Sequence, residues 1–362
     1  MQISQVIIYI MVAFMALAAL DKCIGNKFGL GEKFDEGFMA MGSLTIAMVG
    51  VVSLAPVLAN ILKPVVVPVF TALGADPSVF ATSLLACDMG GYPLALQLAQ
   101  TPEAGLFSGI ILGSMLGPTI VFTIPVALGI IDKEDHKYLA TGVLAGIITI
   151  PLGALVGGLV AGYGFMMVIK NLVPIIIFAA IIAFGLWKAP EKMIKGFTVF
   201  GKGVTAVITI GLAAIIIETL TGIVIIPGMA PLSEGITIVG SIAIVLAGAY
   251  PLVHVITKVF SKPLMKLGSL LGMNDVSAAG MIATLANNIP MFGMMKDMDE
   301  RGKILNVAFA VSAAFVFGDH LGFTAGVAKQ MIVPMIIGKL VAGASAIAVA
   351  CLLAPKSSKK GA

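Results

Sequence analysis

Apolar residues run in long blocks along this chain, and polar residues gather in short clusters between them. Blocks of the roughly 20 residues that a helix needs to cross a bilayer fall near residues 4–22, 37–62, 78–99, 105–131, 138–163, 166–187, 204–226, 235–260, 275–295, 303–328 and 330–354. The pattern predicts an all-α polytopic membrane protein with about eleven transmembrane helices, within a range of about 10–12. Residues 64–74 and 263–272 are apolar but too short to span, and read as half-helices or interfacial helices. No basic stretch precedes residues 4–22, which therefore read as a retained first span rather than a cleaved leader.

Lys and Arg set the expected orientation, because they accumulate on the cytoplasmic side. Lys188, Lys192, Lys195 and Lys202 follow the sixth block, and Lys258, Lys262 and Lys266 close the eighth. Both groups are cytoplasmic if the N-terminus lies inside. The turn at residues 227–234 carries no Lys or Arg, as an outer turn should. The basic tail with Lys356, Lys359 and Lys360 breaks the pattern, since an odd number of crossings puts it outside. One block is thus expected to be re-entrant or split.

Composition agrees with the class. Apolar residues make up 59% of the chain and charged residues 11%, whereas a soluble domain is about a quarter charged. The 42 glycines suit helices that approach closely through small residues. The net charge of +4 is spread over loops and tail, with no basic cluster interleaved with aromatics. Lipid headgroups are therefore the expected partner of these charges, and nucleic acid is not. Cys23, Cys87 and Cys351 are too scattered for a disulfide framework, and His136, His254 and His320 too few for a His-rich metal site. No phosphate-binding loop, H-E-x-x-H or G-x-S-x-G motif occurs, so neither an enzyme nor a cofactor is expected.

The chain repeats itself. Glu36-Gly37, Gly42-Ser43 and Gly50 recur as Glu234-Gly235, Gly240-Ser241 and Gly248, each at a shift of 198. Lys63-Pro64 matches Lys262-Pro263, Leu73-Gly74 matches Leu271-Gly272, and Pro93 matches Pro290 at almost the same shift. Two homologous halves are expected: residues 1–165, then a connecting span and cytoplasmic loop at 166–203, the second half at 204–355, and the tail at 356–362. Whether the halves are parallel or inverted depends on the number of crossings. In duplicated transporters the substrate sits at the midplane where paired broken helices meet.

The chemistry is carried by a few polar groups inside the apolar blocks, where a carboxylate costs about 2.5–3.5 kcal/mol on insertion scales. Asp88 lies in Cys87-Asp88-Met89-Gly90-Gly91-Tyr92-Pro93, whose glycines and proline predict a break in the helix. The second half answers with Asn287-Asn288-Ile289-Pro290, and Asp319-His320 stand between Gly318 and Gly322. Glu218 and Lys339 lie among apolar residues of the seventh and eleventh blocks. Lys339 could pair with Asp319 or Glu218 and hold helices together. One lysine cannot neutralise three acids, so a carboxylate remains for a cation or a proton. Asp88 and Asp319 are the stronger candidates, with His320 a proton-sensitive neighbour and Glu218 a coupling or structural group. Asn287 and Asn288 either satisfy broken backbone or bind a ligand. Tyr92, Phe317 and Phe323 offer aromatic faces that suit an ammonium group.

These motifs, with Glu36-Gly37-Phe38-Met39-Ala40-Met41-Gly42-Ser43, Met291-Phe292-Gly293 and Phe317-Gly318-Asp319-His320-Leu321-Gly322-Phe323, resemble over the full length the ethanolamine permeases of ethanolamine-utilisation operons, the EutH family. The resemblance implies a multi-pass protein of the bacterial cytoplasmic (inner) membrane that admits ethanolamine, as its cation, by facilitated diffusion. It also implies a setting beside enzymes that break ethanolamine down inside bacterial microcompartments. The family resemblance assigns no binding residues; from the chemistry of the residues themselves, Asp88 and Asp319 are expected to face the ammonium, while Asn287 and Asn288 meet the hydroxyl. The alternatives are a proton- or ion-coupled transporter of another small amine or polar solute, or a membrane scaffold whose buried acids only pair helices. Transporters of duplicated architecture are often dimers, so a homo-oligomer is expected.

Overall fold

Tracing which apolar blocks become single helices and which are interrupted shows how the candidate acids are brought inward. The computed structural model describes residues 3–355, so the basic tail at 356–362 lies outside the described residues. The helices are α1 Ile3–Cys23, α2 Leu30–Ala72, α3 Ser78–Leu84, α4 Gly91–Leu98, α5 Pro102–Ile130, α6 His136–Val160, α7 Phe165–Lys188, α8 Pro190–Thr221, α9 Leu232–Leu270, α10 Asp275–Thr284, α11 Ile289–Met294, α12 Glu300–Ala313, α13 Asp319–Val327 and α14 Ile332–Leu353. There is no strand among the described residues. Eight helices are long and apolar enough to cross a membrane: α1, α2, α5 to α9, and α14. The protein is an all-helical, multi-pass membrane protein.

The three remaining apolar blocks are interrupted, each for a local reason. At residues 85–90 the chain leaves α3 and turns through Gly90 at φ 92, where Val51 of α2 occupies the space a Cβ would need. Pro93 is tolerated in the first turn of α4, where its missing N–H is no loss. The two ends of this segment are tied together, because Asp76 accepts from the Ser78 amide at 2.9 Å and the Gln100 amide at 3.0 Å. The chain therefore returns to the side from which it entered. The segment α10–α11 does the same. It breaks at residues 285–288, and Asp299 accepts from the Asn274 amide at 2.8 Å and the Ser277 hydroxyl at 2.9 Å. The blocks at 78–99 and 275–295 are thus hairpins whose ends meet, rather than single continuous helices.

The third block opens between α12 and α13, where Phe315 adopts φ 64, uncommon for a bulky residue. The freed amides of Phe315 and Phe317 donate to the carbonyls of Thr284 and Leu285, so the break is filled by the tip of the second hairpin. The middle of α5 is irregular in a similar way: at Gly117 a Cβ would lie 2.0 Å from the Leu85 carbonyl oxygen, at the tip of the first hairpin.

Residues 64–72 and 263–270 are not separate half-helices, as the sequence suggested. They continue α2 and α9 through Pro64, Pro68 and Pro263, which helices accommodate as kinks. Residues 190–203 are likewise the start of α8, not a loop. With 43 and 39 residues, α2 and α9 reach about 60–65 Å at 1.5 Å per residue, twice the hydrocarbon core. They run antiparallel and touch backbone to backbone. Gly37 faces Ala247, Gly235 faces Val49, and a Cβ on Gly37 would stand 2.4 Å from the Ala247 nitrogen. On the other flank Gly142 and Gly146 of α6 receive Val307 and Val311 of α12, and Gly153 lies against Gly338 and Ala342 of α14. Small residues let these helices gain close packing where lipid supplies no hydrophobic drive.

Candidate functional site

The first hairpin tip carries Asp88 on a 3₁₀ turn, Cys87–Met89, and the break before α13 carries Asp319 in that helix's first turn. The fold points both at one cavity of about 250 Å³. Its walls are Ser43, Leu44 and Ala47 of α2, Ala86, Asp88 and Met89 of the hairpin, Pro118 and Phe122 of α5, and Phe315, Asp319 and His320. Phe122 and Phe315 meet edge to face at 5.6 Å, and Phe315 lies 5.2 Å from the His320 ring. Two carboxylates and two aromatic rings around a small space are a chemistry for a cation.

The acids differ in how they are held. Asp319 accepts a hydrogen bond from the Tyr250 hydroxyl at 2.5 Å, and its place at the start of α13 suits a negative charge. No donor from another residue reaches the Asp88 carboxylate among the described residues, which leaves it free for a ligand. The ion pairs among those residues lie elsewhere: Lys22–Asp35, Lys33–Glu36 and Lys303–Asp135. Lys339, 1% exposed, donates to the Ser114 carbonyl in the irregular stretch of α5 and forms no salt bridge with Asp319 or Glu218. His320 is 2% exposed and its Nδ1 has no partner.

The remaining candidates are dispersed. Asn287 lines a separate cavity, and its side chain accepts from the Ile289 amide at 2.8 Å. Asn288 is fully buried and donates to Thr123 at 3.0 Å. Neither lines the cavity of Asp88. Tyr92 packs edge to face on Phe323 at 5.6 Å, under Gly109, and does not line it either. Phe317 faces an apolar cavity with Leu264 and Leu340. Glu218 lies half-buried near the C-terminus of α8, which ends at Thr221 with Gly222 at φ 75, and not deep in a span. Sequence reasoning missed Ser43, Phe122, Phe315 and Tyr250. Ser43 stood in a repeated motif, but nothing in a motif says which face of a helix meets a cavity.

Cys87 Sγ, an Asp88 oxygen and a His320 ring nitrogen lie within 4.8 Å of one another, a compact enough set for a metal ion. Such a site would need the thiolate, a cost that an organic ammonium at Asp88 and Asp319 does not carry.

The profile of the family described as "Ethanolamine utilisation protein, EutH" matches residues 3–353. The chain belongs to the EutH family. Within it, the chain is 72% identical over 360 residues to "Probable ethanolamine permease EutH" of Listeria monocytogenes, covering 99% of this chain and 96% of that one. It is 54% identical to "Uncharacterized protein YxeR" of Bacillus subtilis, with 99% and 97% covered. The "Probable ethanolamine permease EutH" of Escherichia coli is 53% identical, with 98% and 97% covered, over 394 aligned positions. That alignment is longer than this chain, so the E. coli EutH relative carries additional segments. No solved structure matches.

Proposed function

We propose that this protein carries ethanolamine across the bacterial cytoplasmic membrane as its ammonium ion, through the cavity between Asp88 and Asp319. The observation that carries the reading is that cavity, which gathers two carboxylates and two aromatic rings at the tips of broken helices. EutH permeases among its relatives give the substrate class. A protonated amino alcohol has one cationic end and one hydroxyl. Asp88 and Asp319 would take the ammonium under Phe122 and Phe315, leaving Ser43 and His320 near the hydroxyl. About 250 Å³ leaves room for such a molecule with several waters of about 30 Å³ each. Facilitated diffusion is the simplest mode. Buried His320, with its unpartnered nitrogen, favours proton coupling as the second reading.

The same proposal includes an inverted duplication of α1–α6 and α8–α14 about α7. The shift of 198 exchanges the Gly37–Ala247 contact with the Gly235–Val49 contact, which supports a two-fold axis in the membrane plane. With both hairpins re-entrant, the crossings are α1, α2, α5, α6, α7, α8, α9, α12 with α13, and α14. Lys22, Lys27, Lys33, Lys133, Lys137, Lys188, Lys192, Lys195, Lys258, Lys262, Lys266, Lys296, Arg301 and Lys303 then share one side. Lys63, Lys170 and Lys329 lie towards the other. The bonds Lys303–Asp135 at 2.5 Å and Arg301 to the Pro355 carbonyl at 3.1 Å join parts of the basic side. On this reading α1 begins on the outer side and α14 ends on the basic, cytoplasmic side.

The test is uptake of labelled ethanolamine into proteoliposomes with pH set separately on each side. Uptake that follows the ammonium gradient supports a facilitator. Accumulation driven by a proton gradient alone moves the reading to coupling, and no uptake in either condition removes the substrate.

A further inference from the structure

A second cavity, of about 480 Å³, lies between α9, the second hairpin and the start of α2. Its polar lining is Lys33, Glu36, Tyr250, His254, Thr257 and Asn287. Lys33 holds Glu36 at 2.6 and 2.8 Å. His254 presents a buried Nε2 with no partner. Tyr250 belongs to both regions: its ring borders this cavity, while its hydroxyl holds Asp319 in the other.

The shift of 198 gives this cavity a counterpart. Thr257 and Ala279, which line it, correspond to Ala59 and Ala81, and Pro290 corresponds to Pro93 at a shift one residue shorter. In the first half that seam is sealed: Ala59, Ala81, Leu94, Ala95 and Leu98 are buried in one apolar cluster, flanked by Leu58, Leu62, Phe80 and Leu85. One seam is open and its equivalent is closed. In an inverted duplication the two seams face opposite sides of the membrane. The open one lies on the side of Lys33, Lys258 and Lys303.

We propose that the second cavity is the inner vestibule of the substrate path, a binding site for a small organic ammonium, with Tyr250 dividing it from the Asp88–Asp319 cavity. The apolar seam around Ala59 and Ala95 is its closed outer counterpart. This rests on the transport reading above. An ammonium leaving Asp319 passes Tyr250 and meets Asn287 and the Glu36 carboxylate before reaching the cytoplasmic side. Opening of the outer seam, with closure of the inner one, would deliver the cavity to the outside by the same geometry exchanged between halves.

The experiment uses a full-length chain in which Cys23 and Cys351 are replaced and buried Cys87 is kept. Ala283→Cys, in the vestibule wall, and Ala95→Cys, in the closed seam, are exposed to a membrane-impermeant quaternary-ammonium thiol reagent in vesicles of each orientation. Leu73→Cys serves as the outer control. Ala283→Cys is expected to react only in inside-out vesicles, and more slowly with ethanolamine present. Ala95→Cys is expected to stay unreactive from outside without substrate. Reaction of Ala283→Cys from the outside, no protection by ethanolamine, or Ala95→Cys reacting as fast as Leu73→Cys overturns the proposal. Ala279→Cys replaces Ala283→Cys if that variant does not fold. Tyr250→Phe frees the Asp319 oxygen that the tyrosine had occupied and is expected to shift the KM for uptake several-fold, with the maximal rate within about twofold. A purely structural tyrosine would lower the yield of folded protein and leave KM unchanged. The labelling needs no transport. Absent uptake by the native chain would therefore remove the transport reading, while the side of labelling and its protection by ethanolamine decide the vestibule.

Discussion

Replacing Asp88 by asparagine removes a charge and almost nothing else. The side chain keeps its shape, and among the described residues no donor from another residue depends on the carboxylate, so Asp88→Asn should fold like the native chain. Asp319 would be a less clean choice, because Tyr250 is bonded to it at 2.5 Å. What Asp88→Asn loses is a charge-assisted contact to the ammonium, worth about 1.5–3 kcal/mol. The Coulomb energy at about 4 Å and an effective dielectric constant near 20 sets an upper bound of about 4 kcal/mol, before the cost of desolvating the cation. At 1.4 kcal/mol per tenfold, uptake at low ethanolamine should fall about 10- to 100-fold. The assay is labelled uptake into proteoliposomes at pH 6. If the ammonium titrates like a lysine, only about one part in 10⁴ is neutral there, and leakage through lipid is small. Native-like uptake by a folded Asp88→Asn protein would refute the assignment of the cation to this acid.

Other substitutions separate structure from binding. Asn288→Ala cuts the bond to Thr123 in a fully buried site and should cost about 1–3 kcal/mol of stability, seen as a lower unfolding temperature in detergent with an unchanged KM. Gly318→Ala would place a Cβ 2.1 Å from the Ala286 carbonyl oxygen, so the second hairpin tip must move; a loss of about 1–3 kcal/mol and weaker uptake are expected, and wild-type values in both would count against the described packing. Lys339→Ala leaves the Ser114 carbonyl without its donor and should lower thermal stability by about 1–3 kcal/mol. Epitope tags at the two termini should be reached by protease from opposite sides, the N-terminal one from outside; tags on the same side would remove the proposed sidedness.

The residues that proved legible in the sequence were those whose chemistry conflicts with their surroundings. Asp88, Asp319 and His320 stood out as polar groups beside glycines in apolar blocks, and they line one cavity. Tyr250, Phe122 and Phe315 did not stand out, because an aromatic residue in a membrane helix looks the same whether it faces a cavity or lipid. Hairpin α3–α4 was hidden for another reason: its arms together have the length and apolarity of one span, and the bond that the Gln100 amide donates to Asp76 shows that it turns back. Glu218 misled through Ile223, Val224, Ile225 and Ile226, which prolong the apolar block after Gly222 has ended the helix. Asn287 and Asn288 are neighbours in sequence, but the break sends one to a cavity and the other to Thr123.

The backbone contact between Gly37 and Ala247 also has a consequence for how the protein is made. The two residues are separated by about 200 positions of synthesis, which at about 5–20 residues per second amounts to roughly 10–40 s. Throughout that interval Gly37 of α2 lacks the helix it packs against, and the first hairpin, with its acid and broken backbone, has no second half to close over it. In hydrocarbon such groups are costly to leave bare. The nascent first half therefore needs shelter from an insertion chaperone or the translocation channel until α9 arrives. A chain cut after α7 should be degraded rather than accumulate as a stable half-protein.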